Sequence, residues 1–267
     1  MGSKHATVMA VRVLLTPIVQ VFSLLGFGYR DFVEAAKSVY VEVALAQDRR
    51  FDRRVSISRI ARVSGITRRE ASRLFGVVSV DPVVYADPSA AISNLLDAWH
   101  TDPRYTDADG SPLQLPIEGE ISLETLLRRY SGESDTTTLI RELVKVRAID
   151  VRPGHARAMM RDFYPQPYDT LGVQRFAAVL HDVGSACAAH VLGRNGDLMH
   201  ENRVVVHGAN PESRLAFREF VAARTTGLLA EVRSWLRAHD EGAAAPVRLG
   251  VGTYLIDENS SSVRAQQ

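Results

Sequence analysis

The sequence predicts a mainly α-helical (α+β) protein: helix-turn-helix and tandem winged-helix-like units, followed by a C-terminal helical region with a small sheet. Three observations lead there. Apolar residues recur at helical spacing over most of the chain. Two segments, 57–75 and 122–158, carry the grammar of short helices joined by tight turns, the second ending in a hairpin signal. Charge is also concentrated: from Arg49 to Arg73, nine arginines face only Asp52 and Glu70, a local excess of seven positive charges in a chain of net charge +1. Such an asymmetry is the electrostatic footprint of a surface that meets phosphates.

Length and composition set bounds. At 267 residues the chain exceeds the usual single-domain size, so two or three modules are expected. A hydrophobic content of 46% suits a soluble globular protein. The lone cysteine, Cys187, excludes an internal disulfide framework and any multi-cysteine zinc site. The apolar stretch Val8 to Gly26 is interrupted by Arg12, Thr16, Pro17, Gln20 and Ser23, too often for a membrane span, and it lacks a leader's cleavage pattern. These features predict a cytoplasmic, nucleoid-associated protein with no membrane partner. Residues 1–7 and 259–267 are expected to be disordered.

The first predicted domain, 8–80, opens with a helical pattern from Val11 to Leu25 around Pro17. Gly26-Phe-Gly28 is a turn, and Tyr29 to Gln47 is a second amphipathic helix with Phe32, Ala36, Val39, Tyr40 and Val43 on one side. Both helices should pack behind the helix-turn-helix. In that motif Ala61 is small enough for two helices to cross closely, Gly65 can take the positive φ of the turn, and Thr67 can cap the second helix. Val77 to Val84 reads as a strand or an extended connection. The segment 81–121 reads as a linker or wing hairpin, apart from a helix at Ala90–Trp99; Asp109-Gly110 supplies its turn.

A second winged-helix-like unit is predicted at 122–165. Ser122 caps a helix running to Tyr130, and Asp135 or Thr136 caps another running to Val146. Pro153-Gly154 then turns a hairpin. The outward helix carries Arg141, Glu142 and Lys145, a mixed face that favours packing or dimerisation over base readout. Arg147, Arg152, His155, Arg157 and Arg161 leave a DNA-contacting wing open. In the last predicted domain, 170–258, Gln174–Leu192 and Pro211–His239 read as helices, and Asn202–Val206 and Val247–Ile256 as strands. Small residues such as Gly184, Ala186, Ala188 and Ala189 suit a close helix pair and hence a homodimer interface; an intramolecular core reads the same pattern nearly as well.

The candidate site follows from the helix-turn-helix. With Ala71 and Leu74 inward, Arg68, Arg69, Ser72 and Arg73 face outward, where arginine can read guanine edges in a major groove. Arg49, Arg50, Arg53 and Arg54 are expected on phosphates. Arg59, Ser56, Ser58 and Thr67 could add backbone contacts. A solvated basic helix pair with a structural role is the plain alternative.

Enzyme chemistry finds little support. His181-Asp182 lacks the further His and Asp of a metal-dependent phosphohydrolase. His181, Cys187 and His190 project within a ~120° arc of one helix, at roughly 100° per residue, yet offer no fourth metal ligand. Cys187 sits in an alanine-rich setting that favours an inert, buried thiol. Asp107-Ala-Asp109-Gly110 lacks the remaining carboxylates of a calcium loop. Gly250-Val-Gly252 lacks the third glycine and following helix of a dinucleotide site. No cofactor and no metal are expected.

The strings Tyr40-Val-Glu-Val-Ala, Val55-Ser-Ile-Ser-Arg-Ile-Ala-Arg-Val-Ser-Gly-Ile-Thr-Arg-Arg-Glu-Ala and Trp99-His-Thr-Asp-Pro resemble an uncharacterised bacterial family, a domain of unknown function. Leu127-Arg-Arg-Tyr-Ser-Gly and Val251-Gly-Thr-Tyr fit the same family, so the resemblance covers most of the chain. It implies a proteobacterial origin and carries over no activity, ligand or residue role. The helix-turn-helix segment also resembles winged-helix transcription regulators, over a short stretch. The expectation is therefore a transcriptional regulator binding double-stranded DNA as a homodimer. A helical adaptor for an acidic protein is the alternative, as is a regulator gated by a small molecule held near Trp235, Tyr254 and the Gly-rich strand.

Overall fold

The computed structural model describes residues 2–51, 54–77, 88–130, 136–161, 163, 165, 169–193, 202–207, 209–239 and 248–257. The protein is mainly helical with a three-stranded antiparallel sheet, and it divides into two units, 1–178 and 179–267. The predicted strand at 77–84 lies outside the described residues after Val77, as do Arg53, Asp135 and the tail from 258.

The first unit begins with α1 (Gly2–Leu24) and α2 (Tyr29–Arg50). Gly2 to Thr7, expected to be disordered, are helical. Pro17 lies inside α1, where its missing N–H removes one ladder donor; separately, the Thr16 hydroxyl donates to the Arg12 carbonyl at 2.8 Å. None of the described α1 side chains is buried, so this helix does not form the core behind the helix pair that follows. Lys4–Leu24 is also a single apolar helix of mean hydropathy 1.8, which meets the length and composition of a bilayer span despite its polar interruptions. Core helices of soluble proteins and leader segments meet the same measure.

The predicted inward face of α2 is corrected. Val39, Tyr40 and Val43 are exposed, and Val41, Ala44, Leu45 and Asp48 are buried. The spacing i, i+3, i+4, i+7 is as expected of a helix with one buried stripe, but that stripe is rotated from the aromatic-rich side. It packs on α3 (Ile57–Ser64) and α4 (Arg68–Phe75) through Ile60, Ala61, Ala71 and Leu74.

A second core in this unit joins α5 (Pro88–Thr101), β1 (Leu115–Pro116), α6 (Leu123–Tyr130), α7 (Thr136–Lys145), β2 (Ile149–Arg152) and β3 (His155–Ala158). Trp99, Leu95, Leu123, Leu127 and Leu143 are fully buried within it. The segment read as linker or wing thus supplies α5 and β1 to a continuous core. Its Asp107–Ser111 turn is closed by Asp107 Oδ1, which accepts from the Asp109 and Ser111 amides. Trp99 Nε1 donates to the Leu113 carbonyl at 2.8 Å, so its burial leaves no orphan donor. Ser122 caps α6 reciprocally with Thr125: each backbone amide donates to the other hydroxyl. The strand order is β1-β3-β2, with Leu115 opposite Ala156 and Arg152 opposite His155 across the Pro153-Gly154 turn. Tyr130 donates to Asp102, a carboxylate that is almost fully buried. Burial pushes the Asp102 carboxyl up, but Tyr130, the Arg104 amide and the Arg104 and Arg129 charges outweigh it and hold it below its ordinary value.

The helix α8 (Thr170–Val191) runs into the second unit, which also holds a 3-10 turn (Pro211–Ser213) and α9 (Arg214–Ala238). The two predicted C-terminal strands are corrected: 202–206 and 248–257 contain no strand, and the small sheet lies at 115–158 instead. Val204 and Val206 are exposed, so their β-branched run has no face to pack on. No described residue from 179 onward is buried. Ion pairs tie this unit together: Arg248 clamps Asp182 with two hydrogen bonds of 2.7 Å, and Asp257 accepts from Arg214 and lies in a 3.0 Å ion pair with Arg218.

Candidate nucleic-acid interface

The geometry of α3 and α4 follows from three small choices in the sequence. Ser56 caps α3, accepting from the Arg59 amide at 3.3 Å. Gly65 ends it at φ +75°, donating its amide to the Ala61 carbonyl, a conformation that a Cβ would strain. Thr67 then caps α4, accepting from the Glu70 amide at 3.2 Å while its hydroxyl donates to the Glu70 carboxylate. Chain reversal is therefore complete within residues 65–67.

At roughly 100° per residue, inward Ala71 and Leu74 put Arg69 and Ser72 on the opposite side of α4, with Arg68 and Arg73 on its two flanks. All four are exposed. The flanking pair is tethered. Arg68 Nη2 donates to Ser58 Oγ on α3 at 2.5 Å, and Arg73 Nη2 donates to Glu34 Oε2 on α2 at 2.7 Å. Arg69 has no side-chain partner among the described residues. Its guanidinium is the one on this helix that a ligand can engage without displacing a contact among the described residues.

The remaining predicted residues divide by what they touch. Arg49 and Arg50 stand exposed in the last turn of α2, where their charge also complements the helix C-terminus. Arg50 lies 6.0 Å from the centroid of the Phe51 ring. Arg54 is exposed and Arg53 lies outside the described residues. Arg59 points back into the protein, its Nε donating to Asp48 Oδ1 at 2.5 Å, so much of its charge is already matched. Ser56 and Thr67 spend their hydroxyls on caps, and Ser58 accepts from Arg68.

Three residues that shape the site's charge went unassigned in the sequence: Glu34, Lys37 and Asp48. Lys37 Nζ donates to Glu34 at 2.8 Å and to Glu70 at 2.7 Å, forming a chain from α2 to α4 that ends on Arg73. Hydrogen bonds from Lys37 and then Arg73 hold the Glu34 carboxyl below its ordinary value; Lys37 and then Thr67 do the same for Glu70. The i, i+3 spacing of Glu34 and Lys37 was visible, but nothing local says that they meet a helix more than thirty residues on. Asp48 sits one residue before the basic window and escaped its charge count.

Elsewhere, His181 and Asp182 form a weak 3.5 Å contact, and Asp182 is occupied by Arg248. Cys187 is half-buried, more open than its alanine-rich surroundings suggested. No group of three or more metal-ligating side chains occurs among the described residues. No curated protein and no solved structure matches the chain. A family model does, from residue 4 to residue 261, and the chain belongs to that family of unknown function, DUF6502.

Proposed function

We propose that the chain is a sequence-specific DNA-binding protein, a bacterial transcriptional regulator acting at the nucleoid. The observation that carries this reading is the outward face of α4: Arg69 and Ser72 at its centre, Arg68 and Arg73 beside them, on a helix presented by a capped, glycine-turned pair. An α-helix fits the major groove, and arginine matches the two acceptors of guanine there. Arg49, Arg50, Arg53 and Arg54 position the pair on phosphates. The order helix, strand, helix, helix, strand, strand over 88–158 is similar to that of winged-helix regulators and adds to the reading.

The active form we propose is a homodimer joined through the second unit. Support comes from its lack of any buried described residue while Val183, Phe217, Phe220, Leu228 and Trp235 are exposed. Most helical stability in proteins comes from packing an apolar face, and closed two-fold dimers are the commonest oligomers.

Selection of genomic fragments by the purified full chain at two salt concentrations tests the function. A recurring motif that survives the higher salt is expected, with palindromic half-sites if the dimer is right. Fragments without a motif that are lost with salt would leave a nonspecific DNA binder. No retained DNA at either salt would replace this reading with an adaptor for an acidic protein.

A further inference from the structure

The second core of the first unit carries a basic face of its own. Between residues 136 and 161 six arginines and lysines oppose only Glu142 and Asp150. Read from sequence, the outer side of α7 mixes signs. The observed burial sorts them. Leu139 and Leu143 are buried, so at roughly 100° per residue Thr138, Arg141 and Lys145 fall on the opposite side and Glu142 lies towards one edge. Arg141 and Lys145, four residues apart, stack on that side one turn apart and are both exposed.

The hairpin adds to it. Ile149 and Ala156 are buried, which places Asp150, Arg152, His155 and Arg157 together on the other side of the sheet, in line with strand alternation. Gln114, Asp150, Arg152, His155 and Arg157 line one shallow cleft. Arg152 and His155 pair across the strands beside the Pro153-Gly154 tip, and Arg147, held at φ +57° where α7 turns into β2, is exposed between helix and hairpin.

We propose that this helix and hairpin form a second surface for double-stranded DNA, with α7 in a groove and the arginines of the hairpin on the flanking phosphates, so that one chain engages the duplex twice. The inference rests on the DNA-binding reading of α4.

The test measures full-chain affinity for a fluorescein-labelled random-sequence duplex of about four helical turns across a salt series, for wild type, Arg54→Ala, the double variant Arg152→Glu/Arg157→Glu, and Arg141→Glu. Each phosphate contact contributes a slope of about 0.9 in log K against log salt, so the hairpin variant is expected to lower the slope by roughly two. Arg141→Glu, on the other element, should weaken binding several-fold in the same direction. Each variant's thermal midpoint should stay near that of wild type. A hairpin variant and Arg141→Glu that bind like wild type, while Arg54→Ala weakens binding, would overturn the second surface and leave the first intact. Loss in the hairpin variant and Arg141→Glu with none in Arg54→Ala would keep the second surface and remove the first. A wild-type chain that does not bind the duplex would remove both.

Discussion

Glu34 on α2 holds Arg73 on α4 in a 2.7 Å ion pair. Arg73 belongs to the helix proposed for base contact, so an internal carboxylate competes with DNA for it. Both side chains are about half exposed, where a screened pair contributes little to folding. Glu34→Gln is therefore expected to leave the thermal midpoint nearly unchanged. It should raise affinity roughly two- to five-fold at low salt, with the gain shrinking as salt screens the pair. A titration at two ionic strengths checks this; unchanged affinity at low salt would mean that Arg73 stays away from the duplex.

Arg69, whose guanidinium has no partner among the described residues, and the exposed Arg54 should behave differently. Arg69→Ala is expected to cost about 1–3 kcal/mol on the selected motif and to relax preference at one or two base positions. Arg54→Ala should weaken all duplexes alike and reduce the salt slope by about one. Binding of a mutated-site panel separates the two; a uniform loss for Arg69→Ala would move α4 out of the groove and onto the backbone.

How far the sequence carries depends on whether the signal is local. The cap at Thr67, the turn at Gly65 and the hairpin at Pro153-Gly154 are short-range, and each stands where the pattern put it, whereas the Ser56 cap is not read from the sequence. The buried stripe of α2 is not legible because Val39 and Val43 are as apolar as Val41; only the position of α3 and α4 decides which side is covered. The C-terminal strands failed for a related reason. Asn202–Val206 has strand composition, but composition specifies no partner. The α5–β1 contribution to the second core was hidden because Leu115–Pro116 is two residues long and pairs with β3 some forty residues later. For the candidate site, residue identity was legible and engagement was not: Arg59 and Arg69 look alike in sequence, yet one is bound to Asp48 and the other is free among the described residues.

Asp48 makes Arg59 a folding residue. Its side chain is 3% exposed and its Oδ2 is buried without a hydrogen-bond partner among the described residues, so the contact to Arg59 Nε compensates most of its burial. Arg59→Met keeps the length but strands the carboxylate, and a loss towards the lower end of ~3–5 kcal/mol is expected. Adding Asp48→Leu should recover most of that loss, because an apolar pair of similar volume needs no desolvation. Chemical denaturation of the two single variants and the double closes the cycle. Additive losses would show that the pair is not coupled.

The chain from Glu34 through Lys37 to Glu70 predicts how α4 responds to acid. Both carboxyls lie below their ordinary value of 4.5 in the folded protein, through Lys37 first and then Arg73 or Thr67. A depressed folded value means that the link stabilises α4 fully above the unfolded value, and that this contribution is lost as pH falls through the folded one. Lys37 is raised by the same bonds, so its share is present below 10.5 and lost only on further alkalinisation. Between those limits the α2–α4 link should not change with pH. Below 4.5 the tether to Arg73 weakens as Glu34 protonates, and amides of α4 should exchange faster than those of α6, whose cap is the neutral Ser122–Thr125 pair. Hydrogen exchange at a series of pH values, corrected for intrinsic rates, reads this directly. Glu34→Gln combined with Glu70→Gln should abolish the difference, and a difference that persists in that variant would place the acid-sensitive contact elsewhere.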